Sequence, residues 1–462
     1  MSLSTTAPPA LSPLSADSAR TGKHPLFVKL GVILLVFWAA SQLIAVLDTL
    51  PLPLQKVLMP IKAFIGPLIL LFVFVGAGFR IKVLPPLLMF VVFSVLAIFN
   101  LIIRQEPNWV QAVVYAAWCG CFVITPMLLN SRERLVTYAR WCLKAMLAAL
   151  LFAIAIALAE GNYIYSEGGR TRYEFGTRNA NYLAGFVACL VFLGLALRIL
   201  SPNRDRILSS FAIISSLVVL VLTDSRTQML LTLFVILVVW YHGSGWRSAA
   251  AKLALAIGTA ALTLILALAA TGLISYDAID DYSSRRLNIW KHVINSNLVH
   301  ADIVTVLWGK GHITWDVNAT IRGKIDRGDT LMKQTRAAVK YKRRSFDNTY
   351  LDILVHSGLV VLFAGLLAWW RWWAWTAEVE RKRPETRLII GLIRAVIVGI
   401  LASSFTAGRW PIIGHAQVPT LLMFAIGLTA VLWNESKGEV PASPTVPLPD
   451  VAPAWNPPGR LR

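Results

Sequence analysis

Three arginines, two aspartates and a histidine in this chain have the types and spacing to handle a phosphate-bearing substrate. Arg226 lies in Thr223-Asp224-Ser225-Arg226-Thr227, a very short turn between two apolar runs. Arg285 and Arg286 open a segment in which Arg286, Ile289, Trp290 and Val293 fall on one side of a helix. Asp347 stands before Asn348-Thr349-Tyr350-Leu351, at the mouth of an apolar helix, and Asp352 and His356 share a face of it four residues apart. The planar fork of arginine grips phosphate oxygens at two points. Such charge-assisted bonds contribute about 1.5–3 kcal/mol each. Pyrophosphate is also a leaving group, and arginines that stabilise its departing charge lower a barrier without a metal. Transfer of a sugar to a hydroxyl further needs a general base, for which Asp347 is the best-placed residue.

Each of these residues has a plainer reading. Arg226 can snorkel to headgroups or pair with Asp224, and Arg285 and Arg286 can be a solvated helix face. Asp347 can be an N-cap. Asp352 and His356 can be a satisfied internal pair, although such a pair inside a membrane segment is seldom idle. Asp280-Asp281 reads as a solvated helix start. No HExxH, Walker or other metal or nucleotide motif is present.

The elements that position these residues are apolar helices. The chain is 56% hydrophobic and only 15% charged, and its mean hydropathy is +0.63. A soluble chain carries about 25% charged residues, so these values place it among polytopic membrane proteins. We expect an all-α polytopic membrane protein of about 12 transmembrane helices, near 27–47, 57–78, 83–103, 109–129, 137–159, 181–199, 207–223, 227–242, 252–274, 349–370, 388–407 and 417–433. Pro60 and Pro67 interrupt the second. The expected organisation is a disordered tail at 1–26, helices one to nine at 27–274, a large loop at 275–348, helices ten to twelve at 349–433 and a second disordered tail at 434–462. The loop carries 13 Lys/Arg against 8 Asp/Glu. Cys119, Cys121, Cys142 and Cys189 all fall in apolar runs and read as small core residues.

With the N-terminus inside, every short cytoplasmic loop is basic, for example Arg132/Arg134/Arg140 and Arg198/Arg204/Arg206. Both termini are then cytoplasmic and the 275–348 loop lies outside. The net charge of +20 follows from this bias, and no basic stretch reads as a nucleic-acid site. The outer face also receives Arg170, Arg172 and Arg178 beside Gly168, Gly169 and Gly176, and Arg409 with His415. The charge bias does not favour arginines there. A lipid pyrophosphate bearing a sugar would suit them, its tail in the bilayer and its head at the lip.

Five motifs in order resemble the O-antigen ligase and polymerase superfamily of bacterial envelope glycosyltransferases. They are Gly176-Thr177-Arg178-Asn179-Ala180-Asn181-Tyr182-Leu183-Ala184, Asp224-Ser225-Arg226, Ser284-Arg285-Arg286-Leu287-Asn288-Ile289-Trp290, Trp308-Gly309-Lys310-Gly311, and Asp347-Asn348-Thr349-Tyr350-Leu351 through Gly358-Leu359. The resemblance implies a bacterial inner-membrane enzyme with its site facing the periplasm. It implies a donor glycan on undecaprenyl pyrophosphate, an acceptor sugar hydroxyl on a lipid-linked repeat or on lipid A–core, contact with membrane lipids, and no cofactor or metal. Carried over residue by residue, Arg226, Arg286 and Asp347 would be catalytic. Arg178, Arg285, Asn181, Asn348, Tyr350, His356 and Arg409 would bind substrate. Ligases of the family usually have His where Asp347 stands and often Glu where His356 stands. Asp-Asn-x-Tyr-Leu is similar to polymerases of O-antigen or exopolysaccharide, which makes polymerisation the first expectation and ligation the alternative. A transporter or flippase of a lipid-linked or anionic solute is the reading from another class.

Overall fold

The computed structural model describes residues 25–44, 83–103, 109–161, 164–167, 170–177, 180–243, 245–271, 286–299, 301–310, 348–404 and 417–437, with positions 47, 69 and 75 and the strand pairs at 315–316 and 342–343. The helices are α1 Pro25–Ile44, α2 Leu88–Ile102, α3 Trp109–Leu128, α4 Arg132–Ala159, α5 Ala180–Leu200, α6 Arg206–Leu222, α7 Arg226–Tyr241, α8 Gly245–Ala270, α9 Arg286–Asn297, α10 Ile303–Trp308, α11 Thr349–Lys382, α12 Arg387–Ser404 and α13 Gln417–Ser436. The protein is overwhelmingly helical, as its apolar runs require. The departure from an all-α chain is small. Ile164–Glu167 (β1) pairs antiparallel with Arg170–Tyr173 (β2), and Trp315–Asp316 (β3) with Lys342–Arg343 (β4).

Helices coincide with eleven of the twelve expected spans, and the segment 57–78 lies almost wholly outside the described residues. Among the described residues, five helices are long and apolar enough to cross a membrane: Pro85–Ile102, Arg132–Ala159, Ala180–Leu200, Thr349–Lys382 and Pro384–Ser404. Three of them carry exposed apolar residues on their outer faces, such as Leu88, Val92, Val95 and Phe99 on α2. Such a stripe suits lipid contact rather than water.

The core is aromatic where α2, α3 and α11 meet. Phe90 stacks on Phe122 at 4.4 Å between centroids and meets Trp369 edge-on at 4.8 Å. The fully buried Trp372 donates its indole N–H to Thr429 Oγ1 of α13 at 3.0 Å. One end of the bundle is fastened by charge. Arg140 of α4 makes a two-pronged bond to Asp205, ahead of α6, at 2.7 and 2.8 Å. Arg394 of α12 is nearly buried and reaches Glu380 at 2.5 Å, Thr376 Oγ1 at 3.0 Å and His242 Nε2 at 3.4 Å. Arginine can only donate, so the His242 ring faces it with an acceptor nitrogen.

The helix expected at 349–370 is longer and is broken. α11 runs 34 residues, and Gly358 interrupts it at φ 83°, ψ 174°. Its exposed apolar stripe begins just after the break, at Leu359, Phe363, Leu366, Trp370 and Trp373. No large apolar side chain from 349 to 357 is exposed. The 24 residues beyond the break span about 36 Å, enough to cross a bilayer alone. Asp352 and His356 therefore lie on a half-helix ahead of the lipid-facing part, not inside it as the sequence led us to expect.

The bond from Arg140 holds the Asp205 carboxyl below the usual carboxylate range. A lowered folded-state pKa stabilises the fold fully above the ordinary carboxylate value, and the contribution fades as pH falls through the folded value. Asp205→Asn should therefore lower the thermal unfolding temperature in detergent by a few degrees at neutral pH. The gap from wild type should close below about pH 4.

Candidate functional site

At the opposite end from Arg140 and Arg394, three helix ends meet. α6 ends at Leu222, and the chain turns back into α7 through Thr223, Asp224 and Ser225. Asp224 takes φ 46°, a left-handed conformation that aspartate accepts more readily than most residues. The turn aims Ser225 at the start of α5, where its hydroxyl donates to Asn181 Oδ1 at 2.8 Å. Arg226 is the first residue of α7 and is exposed beside this contact. The structure thus brings Asn181 and Arg226 to one place.

A carboxylate that sequence reasoning missed stands close by. Glu174 Oε1 accepts the backbone N–H of Ala180 at 3.1 Å, and its own carbonyl accepts both the N–H and hydroxyl of Thr177. Glu174 therefore caps α5, whose N-terminus would otherwise attract an anion. The signal was present, six residues ahead of an apolar helix, but at a spacing wider than a capping box. Phe175 and Gly176 both take positive φ, 45° and 70°, to bring the carboxylate round.

A cavity of about 70 Å³ opens one turn below Arg226. It lies between α5, α7, α12 and α13, and its polar groups come from Gln228, Thr232 and Ser403 among apolar neighbours such as Phe192, Val235 and Ile400. α12 ties this region to α11, because Tyr350 donates its hydroxyl to Leu401 O at 2.7 Å. The Tyr350 hydroxyl therefore holds two helix ends together. The ends of α5, α7, α11 and α12 consequently lie on one side of the molecule.

The start of α11 is capped by Asn348, which is 5% exposed and whose Oδ1 accepts the Leu351 N–H at 3.1 Å. The sequence offered Asp347 for that role. Asp347, Arg178, Arg285 and Arg409 lie outside the described residues. Arg286 is the first residue of α9, where the expected helix indeed starts. Val293 of that helix is buried, and Trp290 is half-buried. Asp352 and His356 are half-buried on the half-helix before Gly358. Among the described residues, no three His, Cys, Asp or Glu side chains come together as a metal centre would need.

The half-helix ends against the large loop. α10 is capped by Asp302, whose carboxyl is held below its ordinary range by the Thr305 N–H and hydroxyl. After α10 the chain crosses α11 at Gly309, φ 76°, with Lys310 N–H bonded to Val355 O at 2.7 Å. A Cβ on Gly309 would stand 2.6 Å from Gly358 N and from His356 O, and one on Gly358 would collide with the Leu307 carbonyl. Asn100 of α2 closes the crossing by donating to Trp308 O at 2.9 Å and to Ser357 O at 2.6 Å. Sequence reasoning did not single out Asn100, a lone amide in an apolar run.

Residues 211–366 match the model of a family described as O-antigen ligase. No curated protein matches the chain. The matched segment runs from within α6 to the middle of α11 and takes in Arg226, Arg286, Gly309, Asn348, His356 and Gly358. It supports the O-antigen ligase/polymerase superfamily, in agreement with the four of the five motifs that fall within it. Together with the apolar helices, it supports a membrane protein of O-antigen or related polysaccharide biosynthesis, whose members are glycosyltransferase-like enzymes that act on lipid-linked glycan and an acceptor.

Gly358→Ala and Gly309→Ala should each destabilise the fold by about 3 kcal/mol or more, because backbone strain and overpacking add. Gly161, at φ 68° with nothing within 4 Å of a Cβ, isolates the strain alone. Gly161→Ala should cost only about 1 kcal/mol. The yield of monodisperse protein on gel filtration separates the two cases.

Proposed function

We propose that this chain, which carries an O-antigen ligase domain over residues 211–366, is a membrane glycosyltransferase of the bacterial inner membrane. In this reading it moves a glycan from undecaprenyl pyrophosphate to a sugar hydroxyl at the periplasmic face, and polymerises O-antigen or exopolysaccharide repeats. The observation that carries the reading is the turn at 223–225, which sets Arg226 beside Asn181 at a lip above a mostly apolar cavity. The bundle's charge bias supports the orientation. Arg132, Arg140, Arg198 and Arg206 gather at the end remote from this lip. The two termini would then be cytoplasmic.

The chemistry follows from the groups. Arg226, with Arg286 from the loop helix and Arg178, Arg285 and Arg409 from their segments, would hold the pyrophosphate and offset the charge that grows on it as the glycosidic bond breaks. Asp347 would take the proton from the acceptor hydroxyl. Asn348 stands beside it at the helix start, and Asp352 and His356 would line the acceptor side. The groups named here suffice for the transfer without a cofactor or metal. Joining the glycan to lipid A–core is the second reading, favoured by the description of the matched family.

Arg226→Ala and Arg286→Ala, at normal membrane levels, should each lower transfer at least a hundredfold. Wild-type activity in both would refute their role. Asp347→Ala should abolish transfer, and Asp347→Asn should match it if proton transfer is the role; an active Asn variant would leave binding instead. The surface polysaccharide of a deletion strain separates the products on a gel. Core bearing a single repeat means polymerisation. Bare core with long lipid-linked chains means ligation. An unchanged ladder with a missing secreted glycan means an exopolysaccharide polymerase.

A further inference from the structure

The break in α11 creates a need that its own helix cannot meet. A helix that stops leaves its last carbonyls without N–H partners, and in a membrane protein lipid offers none. The half-helix 349–357 ends in this way at Gly358. Two of its terminal carbonyls are satisfied from elsewhere in the chain. Val355 O takes the Lys310 N–H, and Ser357 O takes Asn100 Nδ2.

Asn100 differs from the other small polar side chain bonded nearby on α2. The Ser94 hydroxyl, on the same helix, bonds back to Phe90 O four residues away. Asn100 is 2% exposed and directs both bonds to carbonyls 208 and 257 residues away. Those carbonyls, Trp308 O and Ser357 O, sit on opposite strands of the Gly309–Gly358 crossing. Beyond the crossing, Lys310 Nζ reaches Asn297 Oδ1 at the end of α9 at 3.4 Å. α9 is the helix that begins at Arg286. One amide thus fixes the half-helix that carries Asn348, Asp352 and His356, and also the loop route that leads back to α9.

We propose that Asn100 is a positioning residue of the transfer site: it clamps the Gly309–Gly358 crossing and thereby sets the acceptor half-helix against the loop helix that begins at Arg286. This rests on the transferase reading given above. Asn100 touches neither substrate nor leaving group in it, and Arg226, held through Ser225 and Asn181, is outside the clamp. Loss of the clamp therefore lowers the turnover of bound substrate more than it weakens donor binding. Displacements of about 1 Å suffice to cost on the order of a hundredfold in rate.

The test uses full-length protein in proteoliposomes, with lipid-linked glycan extracted from a deletion strain as donor. Asn100→Ala should raise hydrogen exchange across 303–310 and 355–358 and lower kcat about tenfold to a hundredfold, with the donor KM within about twofold. Asn100→Asp adds a readout that a filler of the core would not move. The neutral acid still donates one hydrogen bond, whereas its carboxylate donates none and faces two carbonyls. Its kcat and exchange protection should therefore be near wild type at low pH, while the acid is protonated, and fall at higher pH once it ionises, a limb that wild type lacks. Asn100→Ala with wild-type exchange and kcat would overturn the proposal. So would an Asn100→Asp variant whose kcat and protection do not respond to pH. A wild-type protein that transfers no glycan would instead refute the transferase reading, and the exchange measurements would still decide the clamp.

Discussion

A broken helix in a membrane protein must find partners for carbonyls that lipid cannot satisfy, and the layout of this chain follows from how that is done at Gly358. The break lets α11 begin as a polar half-helix and continue as a lipid-facing span. The carbonyls left at the break take one N–H from the loop and one from a distant helix. Because those donors must come within hydrogen-bond reach, the loop after α10 is drawn down against α11, and two glycines face each other with no side chain between them. The polar residues of the half-helix are held where a purely apolar helix could not have put them.

The opposite end of the bundle has a different character. There Arg140 clasps Asp205, and Arg394 is enclosed by Glu380, Thr376 and His242. Buried ion pairs of this kind add little net stability over well-packed apolar groups, but removing one partner is costly. Their effect is to fix which helix ends are neighbours. The described contacts at the Arg226 end include single hydrogen bonds between neutral groups, such as Ser225 to Asn181 and Tyr350 to Leu401.

Much of the helical framework was legible in the sequence, because a run of some twenty apolar residues has few structural outcomes. The short turn at Asp224 and the helix starting at Arg286 were legible for the same reason, since apolar periodicity stops and restarts around them. The site was legible only as types and order. The roles of Tyr350 and Asn348 were not, because a hydroxyl donating to Leu401 O and an amide capping α11 depend on tertiary neighbours or on a one-residue choice of cap. Asn100 and Glu174 were passed over for a related reason. Their partners are either hundreds of residues away or at an uncommon capping distance, and no local pattern marks them. The break in α11 was hidden because a lone glycine within a helical pattern is usually tolerated without a break.

The Gly309–Gly358 crossing also constrains how this sequence can drift over generations. Each position excludes a Cβ because of the other's backbone, so neither can change first without the loop being rerouted. The pair should behave as a single heritable character. In a related chain, a side chain at either site would mark a loop that leaves α11 by another path, and a carboxamide at the position of Asn100 would lose its reason to be kept. Three positions scattered across the gene would then report the course of the loop without a structure.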